Sequence, residues 1–532
     1  MVEKLWFLIP EMCLFAGVVV VSVMGLSRRR ALRDSLPLVT CVFLLAAFVI
    51  TPLLYGADRV YDEQGLSRAG LLMPMLGKYV KMIVCAIGIV LTMLSVGLID
   101  RRLDAAVEAG RTTFDPMRVN RGEYFAFFLL SLIGVMLVCN ANDLIWLFLA
   151  LELTSLPTYV MVAMSRGSRR AQEAAVKYFF LGAMAAGIFL YGFALLYGAT
   201  GTVVLTEMRD VLAIQRVSPD GINLIGMVGM ILAILGVSFK IAAVPMHFYV
   251  ADVYEGAASP VTAFLAFVPK TAGMLAIILL LGTVGWGDPL GVGPAGLPRP
   301  ILAALWMVSV LTMTLGNVGA MLQRSAKRML AYSSIAHSGY MLIGVIAGPG
   351  WGISAVLFYL LAYGLMNTAA FAVLAGLERQ GEEIETLDDL AGLRHRHPTM
   401  AVAMAVAAGS LIGIPPLLGF FGKFGLFIAG VEAGHIELVV IAGLNSAISA
   451  WYYLRLVGLP IFAKPSAQSE TIVRGPSVWP RVAAVLTAVA VAILPVFSGR
   501  LFQEAGVAVE NRPEGPPVEL TGIDRAPDEP PN

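Results

Sequence analysis

The chain has 532 residues, of which 58% are apolar and 14% charged, with a formal net charge of +1. A soluble chain of this length could not keep that balance in solution, so its solvent is mostly lipid. The few basic residues are scattered through short loops and form no stripe, which argues against nucleic acid as a partner, and no soluble domain stands out.

The first apolar run, from about Trp6 to Gly25, lacks a basic n-region and an A-x-A cleavage site and reads as a retained helix, not a signal peptide. With runs near 36–55 and 77–99 it makes an N-terminal group of three helices within residues 1–122. Runs near 123–141, 143–164, 174–198, 222–250 and 258–284 form a block of five, within residues 123–284. A second block, residues 301–462, holds runs near 301–322, 328–347, 352–377, 399–430 and 436–462. A final run near 480–499 lies within residues 463–499, and an acidic, Pro-rich tail over 500–532 is predicted to be disordered. Each run is long enough to cross a hydrocarbon core about 30 Å thick at helical rise, which predicts an all-α transmembrane fold of about fourteen helices.

Basic clusters occupy alternate loops: Arg28 to Arg30 with Arg33, then Arg101, Arg102, Arg111, Arg118 and Arg121, then Arg166, Arg169 and Arg170. Arg324, Lys327 and Arg328 follow, then Arg379, Arg394 and Arg396. The positive-inside rule places these loops in the cytoplasm and both termini on the outer side. Two runs are overlong and broken in their middles, one by Pro245 and the other by Pro415-Pro416 between Gly413 and Gly419. They hold corresponding positions in the two five-helix blocks. A repeat of five helices must invert its topology, and discontinuous helices in inverted repeats bring freed backbone and polar groups to a midplane site.

Four charges stand where lipid should forbid them. Glu152 is central in LFLALELTSLPTYV, Lys240 precedes the Pro245 break, Lys270 is central in AFVPKTAGM, and Lys423 follows the Pro415-Pro416 break. Each costs about 2.5–3.5 kcal/mol at mid-membrane unless it faces a wet or paired interior. Glu152 pairing with one lysine to fix helix register would explain a single pair, but it cannot neutralise three lysines. A row of exchangeable protons explains all four, because a lysine beside a carboxylate loses its support when that carboxylate is protonated or moves away. The same row predicts that Glu152 and Lys240 approach within one water.

His247, just beyond the first break, and His337, on one stripe with Ser333, Ser334 and Tyr340, have the titration range to relay protons, although a helical histidine also serves as a hydrogen-bonded packing residue. Lys177 sits about one turn into its span and can snorkel to the basic-loop side. Asp252 and Glu255 can cap the following helix or bind a lateral partner, and the sequence leaves both open. Cys13, Cys41, Cys85 and Cys139 stand singly in apolar runs, as small core residues do, and His395 and His397 have too few companions for a metal. Gly291, Gly293 and Gly296 spell G-x-G-x-x-G, but in a loop interrupted by Pro294 and preceded by no strand. With no thiolate cluster, axial-ligand pair or phosphate loop, the chain is expected to hold no cofactor or metal of its own and to draw its energy from elsewhere.

FKIAAVPMHFYVADVYEGAASPVTAFLAFVPKTAG, from Phe239 to Gly273, resembles the central signature of the subunit N family of proton-pumping NADH:quinone oxidoreductase, respiratory complex I. NVGAMLQRSAKRMLAYSSIAHSGYMLIG (Asn317 to Gly344), IGIPPLLGFFGKF (Ile412 to Phe424) and LELTSLPTYV look like further motifs of that antiporter-like group, and the similarity runs from about the third to the thirteenth span. The DVYEGA run favours subunit N over its sister subunits L and M and over sodium/proton antiporter chains, although a cation/proton antiporter subunit of the same fold is the alternative. Tyr249 stands where the family pattern has Trp, and Ala251 and Ala258 where it has Pro. The resemblance implies that Glu152, Lys240, Lys270 and Lys423 are proton-path residues, with Lys177 and His247 in support. It also implies a cell inner membrane location, other membrane-arm subunits as partners, and quinone, FMN and iron–sulfur clusters held in partner subunits.

Overall fold

Among the residues that the computed structural model describes, 2–56, 71–113, 115, 118–219, 221–286 and 296–509, almost all regular structure is helical. The N-terminal helices are α1 (Ile9–Gly25), α2 (Leu36–Leu54) and α3 (Leu76–Leu94). α4 (Arg121–Val138), α5 (Leu144–Ser165) and α6 (Arg169–Thr200) follow, then the broken pair α7 (Leu224–Val237) and α8 (Val250–Gly256), and α9 (Ser259–Val284). α10 (Arg299–Met321), α11 (Ala326–Ala347) and α12 (Trp351–Ala375) precede a second broken pair, α13 (Pro398–Ile412) and α14 (Leu418–Glu432). α15 (Ile436–Phe462) and α16 (Trp479–Ile493) close the bundle.

Eleven helices among the described residues are long and apolar enough to cross a membrane, and the shorter apolar α1, α7 and α13 take the three other expected positions. The protein is therefore a multi-pass membrane protein. The starts are written locally: Asp143, Ser168, Asn223 and Ser325 cap α5, α6, α7 and α11 by accepting from Trp146, Ala171, Gly226 and Arg328 backbone N–H groups. A helix apolar all round belongs in the interior, and α9 fulfils this with its most apolar stretch wholly buried. α11 and α12 are nearly as enclosed, whereas α2, α6, α15 and α16 keep most of their apolar surface at the periphery.

In lipid, apolar surface gives little drive for helices to associate, so close backbone approach at small residues carries the packing. An added Cβ at Gly316 of α10 would lie 2.5 Å from the Ala336 nitrogen of α11. At Gly134 of α4 it would lie 2.5 Å from the Thr154 nitrogen of α5.

Three features depart from the sequence reading. A three-stranded antiparallel sheet, β1 (Leu377–Arg379), β2 (Glu382–Glu383) and β3 (Val473–Arg474) in the order β2-β1-β3, lies between helices, its strands too short to leave a periodic signal. A further helix, Leu205–Val217, follows α6, and its Arg216 donates to the Val284 and Gly285 carbonyls at 3.0 and 2.9 Å, capping the C-terminus of α9. The tail expected to be disordered from Arg500 begins as the helix Ser498–Val507, because Phe502 stacks on Phe358 of α12 with centroids 4.0 Å apart and Glu504 pairs with Lys78. Residues 510–532 lie outside the described residues, as does the glycine-rich loop at 291–296 apart from Gly296.

Candidate functional site: a file of buried charges

The two helix breaks leave backbone groups that no helix satisfies, and buried side chains take them up. At the first break Thr312 accepts from Val244 N–H at 2.9 Å, Tyr249 donates to the Phe239 carbonyl at 2.9 Å, and Ser338 donates to the Ile241 carbonyl. At the second, Gly413 ends α13 with φ +93°, and Lys423 donates its Nζ to the freed Ile412 carbonyl at 3.0 Å. The Val244-Pro245 and Pro415-Pro416 peptide bonds are both cis. Tyr249, at the position where Trp was expected, supplies a hydroxyl to the first break and stacks on Tyr178 with centroids 5.1 Å apart.

The expected meeting of Glu152 and Lys240 is present: Lys240 Nζ donates to Glu152 Oε1 at 3.0 Å and to Ser155 Oγ at 2.5 Å. The Lys240 side chain is 1% exposed and that of Glu152 is 16% exposed, so the pair is closed on the lysine side. Lys270, at the centre of α9, donates to both the carbonyl and the hydroxyl of Ser334, the latter at 2.8 Å, and lies 4.8 Å from the Tyr363 ring centroid. Ser338, bound to Ile241 beside Lys240, also reaches the Ser334 carbonyl at 3.4 Å, so α11 joins the surroundings of the two lysines.

His337 is held at both ring nitrogens, Nδ1 2.7 Å from the Tyr359 hydroxyl and Nε2 2.8 Å from that of Tyr453. Tyr453 is bonded in turn to Ser333. A neutral imidazole donates at one nitrogen and accepts at the other, so this arrangement passes hydrogen-bond polarity through the ring. Lys423 reaches Ser446 Oγ at 3.3 Å and lies 5.1 Å from the Tyr340 ring. Tyr340 accepts from Asn317 Nδ2 at 2.9 Å, and Asn317 Oδ1 accepts from Tyr452 at 3.0 Å. Among the described residues, no carboxylate forms an ion pair with Lys270 or Lys423; hydroxyls, carbonyls and ring faces surround them instead.

The remaining expected residues lie apart. Lys177 is 43% exposed, and its Nζ is 2.9 Å from both Glu173 and Asp252. Asp252 and Glu255 also hold Arg328, at 2.9 and 2.8 Å, an intramolecular pairing that neither expected role for these acids included. His247 packs against Phe248 with ring centroids 4.6 Å apart, and no hydrogen bond or ion pair joins it to the four charges of the file among the described residues.

Sequence reasoning missed Tyr359, Tyr363, Tyr453 and Asn317, because a tyrosine in an apolar run reads equally well as membrane-interface belt. It also missed a second buried ion pair, Lys81 to Glu11 at 2.8 Å, in which Lys81 donates to the Phe7 carbonyl at 2.6 Å. Both residues interrupt apolar runs, the same signal that singled out Glu152, but near span ends, where snorkelling is the simpler explanation.

Gly413 yields a direct prediction. An added Cβ would lie 3.3 Å from Lys423 Cδ, and its φ of +93° strains any L side chain. Gly413→Ala is expected to cost about 1–2 kcal/mol of stability and to displace the Lys423 stem. Thermal unfolding of the purified complex checks the first expectation and its pumping rate the second; wild-type values for both would count against this placement.

Fold and site together define a polytopic membrane protein with ionisable groups enclosed at its two helix breaks and on the helices between and beside them. Residues 141–449 match the family model described as NADH:quinone oxidoreductase/Mrp antiporter, TM. Relatives named NADH-quinone oxidoreductase subunit N include those of Trichlorobacter lovleyi (43% identical, covering 66% of this chain and 69% of the relative) and Acidithiobacillus ferrooxidans (37%, covering 88% and 90%). Among solved structures, a chain of respiratory complex I from Thermus thermophilus with bound aureothin superposes with a TM-score of 0.71 at 30% identity, covering 94% of this chain and 99% of that one. A chain of the Mrp complex from Dietzia sp. shares the fold at TM-score 0.74 and 23% identity, covering 96% and 98%. The chain belongs to the NADH-quinone oxidoreductase subunit N family.

Proposed function

We propose that this chain is the proton-translocating membrane-arm subunit of an NADH:quinone oxidoreductase, in which Glu152, Lys240, Lys270 and Lys423 carry protons and His337 bridges the last two. The observation that carries this reading is the sequence of neighbours through the interior: one carboxylate–lysine pair, then Lys270 on Ser334, whose carbonyl also meets Ser338, then His337, whose ring borders Tyr363 beside Lys270 and Tyr340 beside Lys423. When the Glu152–Lys240 pair opens, the stabilisation of the Lys240 charge changes, and the charge state of the next lysine responds in the low-dielectric interior. Lys177 and His247 act in support, Lys177 by its link through Asp252 to Arg328 of α11.

On this reading the subunit sits in the cell inner membrane beside other membrane-arm subunits, with its arginine-rich loops in the cytoplasm and both termini outside. α4 to α9 and α10 to α15 are two inverted five-helix repeats, each contributing one broken helix to the file. Quinone, FMN and iron–sulfur clusters belong to partner subunits, and quinone reduction there drives the file. Relatives at 37–43% identity that bear the subunit N name support this over a stand-alone antiporter.

Lys270→Leu tests the file, since it removes the only ammonium on α9 without changing that helix's enclosure. In membrane vesicles, normalised to assembled complex, NADH-to-quinone turnover and membrane-potential formation are expected to fall together. Normal NADH oxidation with altered cation exchange would favour an antiporter, and no change in either would remove Lys270 from the pathway.

A further inference from the structure

A second buried charge cluster lies on the face that carries the arginine-rich loops. Lys327, at the start of α11, is fully buried, with Nζ 3.5 Å from Glu383 and 3.7 Å from Glu385, and it donates to the Ala257 carbonyl at 2.8 Å. Arg166 holds the same two carboxylates, Glu383 at 2.7 Å. Glu383 reaches across from β2 to accept from the backbone N–H and hydroxyl of Ser259, at 2.9 and 2.8 Å, and so caps α9. Burial raises the Glu383 carboxyl, but the Lys327 and Arg166 charges and the two Ser259 bonds outweigh it and hold it below the usual carboxylate range.

Over this cluster opens a cavity of about 760 Å³ lined by both signs of charge, with Glu255, Glu378, Glu383 and Glu385 among its carboxylates and Arg101 and Arg166 among its guanidinium groups. Lys327 lies beneath that lining. On α11, Lys327 and Ser334 are seven residues apart, two turns on one face and roughly 10 Å along the axis. At the Ser334 end stands the Tyr254 hydroxyl, 3.4 Å from Ser334 Oγ, and Thr262 Oγ1 donates to the Tyr254 carbonyl at 3.2 Å and to the Ala258 carbonyl at 3.1 Å, one residue on from the Ala257 carbonyl that Lys327 holds. Ser334 is the partner of Lys270.

We propose that Lys327 is an inlet relay, which passes protons from this cavity to Lys270 through the hydroxyls of Tyr254 and Ser334. The inference rests on the proposed role of Lys270. In the transfer, neutral Lys270 gains an N–H bond and the Lys327 ammonium loses one, while water spanning the step from Lys327 to Tyr254 and then the Tyr254 and Ser334 hydroxyls each accept one proton and release another. The free Lys327 amine then takes a proton from hydronium in the cavity, returning a water there, and Glu383, Glu385 and Arg166 keep their charges throughout. The competing role is a clasp that only pins the β1–β2 hairpin to α9 and α11.

Lys327→Arg separates the two roles, because guanidinium preserves the ion pairs but scarcely deprotonates. In assembled complex in vesicles, the relay forecasts a several-fold fall in coupled NADH-to-quinone turnover and potential formation; wild-type rates overturn it. Tyr254→Phe keeps the test decisive should the arginine variant fail to assemble, since it removes one bridging hydroxyl and leaves the clasp intact. It too is expected to slow coupled turnover several-fold, and an unchanged rate overturns the relay. Lys270→Leu in parallel distinguishes the failures. If it is silent, both readings fall; if it is inactive while Lys327→Arg or Tyr254→Phe runs at the wild-type rate, only the inlet falls.

Discussion

Lys240→Ala is expected to depress proton pumping and quinone-linked NADH oxidation together, by about a hundredfold or more, the scale of removing a positioned proton-transfer group. Assembly and electron-carrier content should stay intact. The alanine leaves Glu152 Oε1 and Ser155 Oγ without the ammonium that joins α5 to the first break. The carboxylate then lacks the cation that faces it on the closed side of the pair. With no ammonium at this position, a step that alternates charge between α5 and the first break would stop. If that step is obligatory for the redox cycle in the partner subunits, the cycle is held back with it. A purely structural pair forecasts the reverse: less assembled complex, with normal turnover in what survives. Lys240→Arg sharpens the contrast, because it restores a cation for Glu152 but not one that readily gives up its proton. Turnover and membrane potential measured in the same vesicles decide the matter, and full pumping by the alanine variant would exclude Lys240 from the mechanism.

Gly134→Ala is expected to lower the stability of the assembled subunit by about 1–3 kcal/mol or more, the usual cost of overpacking a tight interior. Its Cβ would stand 2.5 Å from both the nitrogen and Oγ1 of Thr154, and a backbone nitrogen cannot swing aside as a long side chain can. Relief requires α4 and α5 to separate, which strains the Ser131 hydroxyl bond to the Thr154 carbonyl at 2.6 Å. Thr154 lies between Glu152 and Ser155, so the displacement would also loosen both contacts of Lys240. Gly187→Ala on exposed α6 is the control, because nothing lies within 4 Å of the Cβ it would add. Thermal inactivation of the purified complex should separate the two variants; equal midpoints would show that the α4–α5 approach gives way without cost.

Much of this protein is dictated locally. Twenty-residue apolar runs must become helices in lipid because no other open segment satisfies its own backbone there. Pro245 and Pro415-Pro416 interrupt two of them, and charges such as Glu152 or Lys270 within such runs are too costly to be left uncompensated. Those facts require no neighbour, and they place the breaks and the four buried charges in advance of any fold. What surrounds the charges was decided by packing. Tyr359 and Tyr453 grip His337 from α12 and α15, Ser334 holds Lys270 from α11, and Glu383 crosses from a two-residue strand to cap α9. Each of these partners lies between 22 and 124 residues from the group it serves, and hydroxyls and carboxylates of this kind carry no periodic signal along the chain. The apolar pattern along the sequence determined which segments cross the membrane and where charge had to be compensated. Only the tertiary structure decided what compensates it, because that depends on which helix faces meet, and packing between helices that are apolar nearly all round is set by shape, not by pattern.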